Sequence, residues 1–259
     1  MGKTKGDEPM LFQAHRGVST QFPENTMPAF MAAYEQGYQV IEMDPAFTAD
    51  GQCVTFHDKK INRTCRTAEG QEIREEMLVA QMTFEQLEQL DAGLFMGEQF
   101  RGTRVPLLRQ VLAFAAEKDL LAKLDNKFER FTQEQQEAFF EIVEDSGARV
   151  AFTCKLPETI ARVAERFPKA QIHYDGAVTE ETILQVKALL KENPLTVWLP
   201  LPSELTSWVT VPMASRELCR MVKNHAKLGL WILETQEQLR QAKELGADII
   251  ETTGAIKPE

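Results

Sequence analysis

The chain has 259 residues, 43% of them hydrophobic and 26% charged, with a formal net charge of −10 at pH 7. That balance suits a globular protein large enough to bury a core without disulfide or metal staples, and it excludes the clustered basic charge that non-specific binding to nucleic acid or anionic membrane rewards. Cys53, Cys65, Cys154 and Cys219 never form a CxxC pair, so they read as reduced, mostly buried thiols and not as a zinc site or redox dithiol.

In chain order, MGKTKGDEPM carries two lysines with no apolar run after it, and Gly6 stands where a myristoylation motif needs Ser or Thr. No later stretch approaches the length of a bilayer span, so the expectation is a cytoplasmic protein without stable membrane anchoring. Short apolar runs then predict eight strands: Leu11 to Ala14, Gln39 to Asp44, Leu120 to Leu124, Arg149 to Thr153, Gln171 to Tyr174, Thr196 to Leu199, Leu230 to Leu233 and Asp248 to Glu251. Between them, helical patterns fall at about 26–36, 107–117, 133–145, 158–167, 180–191, 215–226 and 236–245. Strands apolar on both faces, alternating with helices and without a linker, predict one α/β domain over residues 1–259, a TIM (β/α)8 barrel.

Punctuation agrees. Asn25-Thr26 can cap the first helix, Pro157 suits a first helical turn, and Gly37, Gly147 and Gly246 fall where helices should stop. Asp50-Gly51 separates two β-like runs within Thr48 to His57 and predicts a hairpin extending the second strand. The segment 58–105 is too long for a βα loop and reads as a small insertion, with an amphipathic piece near Phe84 to Leu90. The chain ends soon after the eighth strand, so a final helix is short or absent.

In such a barrel the active site lies at the carboxyl ends of the strands, so polar residues that end apolar runs carry the functional weight. His15-Arg16 ends the first run. Glu42 and Asp44 end the second on one face, with Met43 opposite, and two like charges so placed want a cation between them. His57-Asp58 closes the hairpin run, and Lys123, Asp125 and Lys127 alternate at the end of the third strand. Collected at one mouth, these offer three carboxylates for a hard, oxygen-preferring metal, two imidazoles for proton transfer, and Arg and Lys for a phosphate, an inventory that fits phosphoryl transfer. A lone strand-end histidine or acidic pair is more often packing or a solvated face, so the joint pattern carries the reading.

The motifs AHRG at 14–17, PENT at 23–26, IEMD, DGQCVTFHD, NRT at 62–64, LDAGLF at 90–95 and VPLL at 105–108 resemble the glycerophosphodiester phosphodiesterases over most of the chain. The resemblance implies a barrel fold, a divalent metal (Mg²⁺ or Ca²⁺), and hydrolysis of a small-molecule phosphodiester to glycerol phosphate and an alcohol, through a cyclic phosphate. On the same terms His15 and His57 match the acid/base pair, Glu42 and Asp44 match metal ligands, and Arg16 matches the phosphate-binding arginine. Asp125 and Lys127 stand where the family has Glu, an apolar residue and Lys. The aspartate withdraws its carboxylate by about 1.5 Å, which leaves direct ligation, a water-mediated contact or a role for Asn126 open. Trp231 matches a family tryptophan and could line the alcohol pocket, while Glu234 and Glu251 add acidity beside it. Glu24-Asn25 reads as capping and loop structure, His173 as packing or rim, and His225 as surface.

Two other functions fit less of the pattern. A lyase that stops at the cyclic phosphate resembles the same His-Arg, Glu-x-Asp and His positions, and a barrel that binds a phosphodiester without turning it over would account for the Asp125 and Glu251 departures. Retention of both histidines argues against the binding barrel, and such lyases are secreted and disulfide-bonded, whereas this sequence shows no secretion signal. Head group and oligomeric state leave no pattern in the sequence.

Overall fold

A computed structural model describes residues 9–204 and 206–258; the amino-terminal segment read above falls largely on residues 1–8, outside the described residues. Eight parallel strands close a barrel: β1 (Leu11–Ala14), β2 (Val40–Met43), β5 (Leu121–Leu124), β6 (Arg149–Cys154), β7 (Gln171–Tyr174), β8 (Leu195–Pro200), β9 (Lys227–Leu233) and β10 (Ile249–Thr252). Round the barrel the order is β1, β10, β9, β8, β7, β6, β5, β2, so chain order is kept and the ends of the chain meet at β1 and β10. The TIM barrel expected from the alternating pattern is the fold.

Helices α1 (Met27–Glu35), α3 (Leu108–Glu117), α4 (Gln133–Ser146), α5 (Pro157–Arg166), α6 (Glu180–Leu189), α7 (Arg216–Lys223) and α8 (Gln236–Leu245) cover the outside, within a few residues of the predicted spans. Pro157 opens α5, and Gly147 and Gly246 end α4 and α8 with φ of 63° and 76°, a left-handed conformation that favours glycine. No helix follows β10 among the described residues, and none of their helices is long and apolar enough to cross a membrane. All four cysteines are buried and free.

Period-two alternation sorts the strand residues into tiers. Val40, Leu121, Ala151, Trp198 and Ile249 form a small cluster with Leu11 packed on it, mostly near the amino-terminal ends of their strands. Two residues further along stand Gln13, Glu42, Lys123, Thr153 and Glu251, all buried. Two further again come His15, Asp44, Asp125, Lys155 and Thr253, which line the cleft at the carboxyl end. β9 begins at Lys227, three residues before the apolar run that predicted it, because Gly229 interrupts that run; a Cβ there would come within 2.5 Å of the Trp198 indole. Glycine is what admits the indole to the barrel interior.

The hairpin is present, but it leaves the barrel. β2 stops at Met43, and β3 (Pro45–Phe47) pairs antiparallel with β4 (Cys53–Thr55) as a separate two-stranded sheet. Pro45 has no N–H to offer the barrel ladder, so the chain turns out after Asp44. The insertion beyond it holds α2 (Phe84–Glu88), capped by a reciprocal Thr83–Gln86 box, and closes on its own apolar cluster, which includes Val54, Phe56, Ile61, Cys65, Val79, Leu87 and Leu107.

Candidate active site

The carboxyl end of the barrel opens into a cleft of about 910 Å³ lined by every site residue the sequence singled out: His15, Arg16, Glu42, Asp44, His57, Asp125, Lys127 and Trp231. Asp44, at the hinge between β2 and β3, is the most heavily partnered. Asn25 Nδ2 donates to its Oδ2 at 2.7 Å, and its backbone N–H donates to Asn25 Oδ1 at 3.1 Å. Lys127 Nζ lies 3.0 Å from Oδ1, and Arg16 Nε lies 3.4 Å from Oδ2 as an ion pair without hydrogen-bond alignment.

Arg16 itself has φ of 59°, rare for a residue with a side chain. That turn points its backbone N–H at Glu42 Oε2, 2.8 Å away, while its guanidinium donates to Glu24 Oε1 at 3.0 Å. Gly17 follows with φ of 79°, and a Cβ there would come within 2.7 Å of the Ala29 backbone. The AHRG run therefore packs its backbone against α1 while turning Arg16 into the cleft.

Oxygens of Glu42, Asp44 and Asp125 all lie within 4.8 Å of one another. Burial lifts the Glu42 carboxyl well above its usual range, and the charges of Asp44 and Glu251 push the same way. Burial, followed by Asp44, pushes Asp125 up to about 6. Burial would raise Asp44 too, but Lys127, Arg16 and His57 together hold it low. Three carboxylates, two of them buried, thus crowd one another's charge, and hard oxygen donors at this spacing fit a divalent cation.

The two histidines differ. Burial lowers His15 to about 4, against the opposing charge of Glu251 and with help from Arg16, so at neutral pH it is an unprotonated imidazole. His57 Nδ1 is 2.6 Å from Asp58 Oδ1, which fixes the tautomer and leaves Nε2 for the cleft. Burial would raise Asp58, but hydrogen bonds from Arg63 and His57 hold it at about 2.

Several sequence readings need correction. Lys127 does not alternate along the third strand: the strand ends at Leu124, and Asp125 caps a 3-10 turn over Asn126–Arg130 by accepting from Lys127 N at 3.1 Å. Lys127 reaches the site by folding back, its ammonium donating to the carbonyls of Phe56 and His57 as well as meeting Asp44. Asn126 is turned to Asp175, 3.1 Å away. Glu251 adds no net acidity at the rim, because it is buried and paired with Lys123 at 3.1 Å and with Gln13, and Lys123 also sits 4.4 Å from the centre of the Trp198 ring. His173 is wholly buried, 5.5 Å from the Trp198 ring, and does not reach the rim. His225, read as surface, is half-buried just past α7 and meets Glu180 at 2.8 Å.

Glu24 and Asn25 are more than capping residues. Thr26 takes the N-cap position of α1, with no side-chain cap bond, while Asn25 holds Asp44 and Glu24 holds Arg16. Arg63, from the NRT run, bridges Asp58 and Glu24. The signal for these residues was present in the PENT and NRT motifs, but their partners lie far along the chain. Trp231 shares its wall with Trp208, from the loop after β8, at a ring separation of 6.4 Å, and Glu234 lines the same side.

The sequence model of the Glycerophosphoryl diester phosphodiesterase family matches residues 15–214. A glycerophosphodiester phosphodiesterase of Caldanaerobacter subterraneus subsp. tengcongensis is 40% identical over 117 residues, which is 45% of each chain, so the match spans under half of that relative. YqiK of Bacillus subtilis (strain 168), described as uncharacterized, is 28% identical over 240 residues, or 91% of each chain. Among solved structures, a phosphodiesterase of Oleispira antarctica in complex with the product sn-glycerol-3-phosphate superposes with a TM-score of 0.76 at 20% identity, covering 95% of this chain and 93% of that one. A glycerophosphoryl diester phosphodiesterase of Parabacteroides distasonis gives 0.74 at 19% identity, covering 97% and 85%. With the family match running from His15 through the hairpin and most of the barrel, the chain belongs to the glycerophosphoryl diester phosphodiesterase family.

Proposed function

We propose that this protein hydrolyses glycerophosphodiesters to glycerol phosphate and an alcohol, with Glu42, Asp44 and Asp125 holding a divalent metal, Mg²⁺ or Ca²⁺. The observation that carries the proposal is the meeting of two histidines, three clustered carboxylates and two cations in one cleft. When bound, the metal supplies Lewis-acid stabilisation of charge on the phosphoryl group. Arg16 and Lys127 bear on the phosphate oxygens, where charge develops as the P–O bonds change.

His15, unprotonated at neutral pH, suits the base that takes a proton from the attacking glycerol hydroxyl. His57, oriented by Asp58, suits the acid that protonates the departing alcohol. A water then opens the cyclic phosphate with the roles reversed. On the opposite wall, the indoles of Trp208 and Trp231 with the Glu234 carboxylate favour a cationic alcohol such as choline, since ring faces and a carboxylate both attract an ammonium.

The test is turnover of glycerophosphocholine, glycerophosphoethanolamine and glycerophosphoglycerol with Mg²⁺, Ca²⁺ or chelator, comparing wild type with His57→Ala. Metal-dependent release of glycerol phosphate, reduced roughly 10²- to 10⁴-fold in the mutant, is expected. Accumulated cyclic phosphate would make the protein a lyase. Ligand binding without turnover under any metal would make it a binding barrel and overturn the proposal.

A further inference from the structure

The insertion brings one guanidinium to a point that joins the two halves of the site. Arg63 Nε lies 2.6 Å from Asp58 Oδ2, and its NH2 group 3.2 Å from Oδ1. The other edge forks onto Glu24, with NH1 and NH2 each 2.7 Å from a carboxylate oxygen. Asp58 in turn holds His57 Nδ1 at 2.6 Å, and Glu24 accepts from Arg16 NH1 at 3.0 Å. A chain of alternating charge therefore runs His57, Asp58, Arg63, Glu24, Arg16, and Arg63 is its middle member.

The turn that carries Arg63 is fixed from below. Ile61 and Cys65 are fully buried in the insertion's own apolar cluster, and Cys65 N donates to Ile61 O at 2.9 Å. Between them Asn62 donates to the carbonyls of Ile73 and Glu75, each at 2.7 Å, and accepts from Met77 N at 3.3 Å. The Arg63 side chain is 48% exposed, and ion pairs that open to water contribute little to stability. Its consequence is orientation: a planar fork can grip two carboxylates at fixed angles, which an ammonium cannot.

We propose that Arg63 is a positioning residue, holding Asp58 and Glu24 so that His57 presents Nε2 to the departing alcohol while Arg16 faces the phosphate, and that the insertion serves the reaction by carrying it. The inference rests on the phosphodiesterase reading above. In the step concerned, the P–O bond breaks with its electron pair going to the alcohol oxygen, which takes the Nε2 proton of the His57 imidazolium. The neutral imidazole then accepts a proton from the water that opens the cyclic phosphate.

The test compares wild type, Arg63→Ala, Arg63→Lys, Asp58→Asn and the Arg63→Ala/Asp58→Asn double variant on two esters at saturating Mg²⁺. Glycerophosphocholine has a leaving group that needs a proton, whereas glycerophospho-p-nitrophenol departs as a phenolate without one. Arg63→Ala should lower kcat on the choline ester roughly 10- to 100-fold but on the nitrophenyl ester by no more than about 3-fold. Loss of grip on Glu24 and Arg16 should appear as a raised KM for both esters. Arg63→Lys should recover only part of kcat, and the kcat of the double variant on the choline ester should be no lower than that of Asp58→Asn alone. Equal kcat losses on both esters, additive kcat losses in the double variant, or an unchanged Arg63→Ala would overturn the inference. A wild type that turns over neither ester would instead overturn the phosphodiesterase reading, and Arg63's role with it.

Discussion

The arc formed by β1, β2 and β5 and the arc formed by β8 and β9 face each other across one barrel mouth and are built in opposite ways. On the first arc Arg16, Glu42, Asp44 and Lys127 are each held by at least one partner within 3.4 Å. The second presents two tilted indoles and Glu234, and Trp208 is 73% exposed on a loop. Charge-assisted contacts fix a geometry, whereas aromatic faces accept ligands of several shapes. On the proposed function the chemistry belongs to the first wall and the choice of alcohol to the second, and mutations can test that division.

The largest effect should come from the first arc. Asp44→Asn removes a carboxylate that faces Arg16, Lys127 and the acidic cluster, and kcat/KM should fall by about 10³-fold or more. Activity within tenfold of wild type would show that the chemistry does not reside on this wall. Next comes the pair that spans the barrel interior: Lys123→Met leaves Glu251 buried without its cation, which should cost about 3–5 kcal/mol and lower Tm by on the order of 10 °C. Adding Glu251→Gln should restore much of that loss, and a thermal melt of both variants decides it.

A smaller change belongs to the second arc. Trp231→Ala should raise KM for glycerophosphocholine by about 10-fold while moving KM for glycerophosphoglycerol much less and leaving kcat nearly unchanged. Equal changes for both esters would remove the case for a cationic alcohol. The smallest effect concerns acid stability. Asp58 has its carboxyl lowered in the fold to about 2, so its contribution is present above the ordinary range near 3.8 and is lost as pH falls towards 2. Because the group is partly solvated the contribution is about 1 kcal/mol or less. Melts should show wild type losing more Tm than Arg63→Ala between pH 5 and pH 2; parallel curves would show that the Arg63 contact does not stabilise the Asp58 charge.

Much of this was legible in the sequence because a barrel writes itself locally. Short apolar runs mark strands, period-two spacing puts 42 and 44 on one face, and the helices carry their own stops at Gly147 and Gly246. His15, Glu42 and His57 were legible because they end such runs. Lys127 was assigned to the wrong element because Asp125 and Asn126 fit a strand end as well as they fit a capped 3-10 turn, and only the hydrogen bond from Lys127 N to Asp125 distinguishes the two. Glu24 reads as capping, and Arg63 carries no role in the sequence, because they meet each other across 39 residues and no local pattern encodes a pairing of that reach. Glu251 read as free acidity because its neutralising partner, Lys123, lies 128 residues away.

The insertion's separate apolar cluster has a consequence for how long the site stays assembled. Residues from Val54 to Leu107 close on themselves, so their opening does not require the barrel strands to part. Such an opening would release Arg63 and free the His57 ring to turn while Glu42 stays on β2 among its barrel neighbours. An opening confined to the insertion would then interrupt the proposed proton donor while the barrel stays folded.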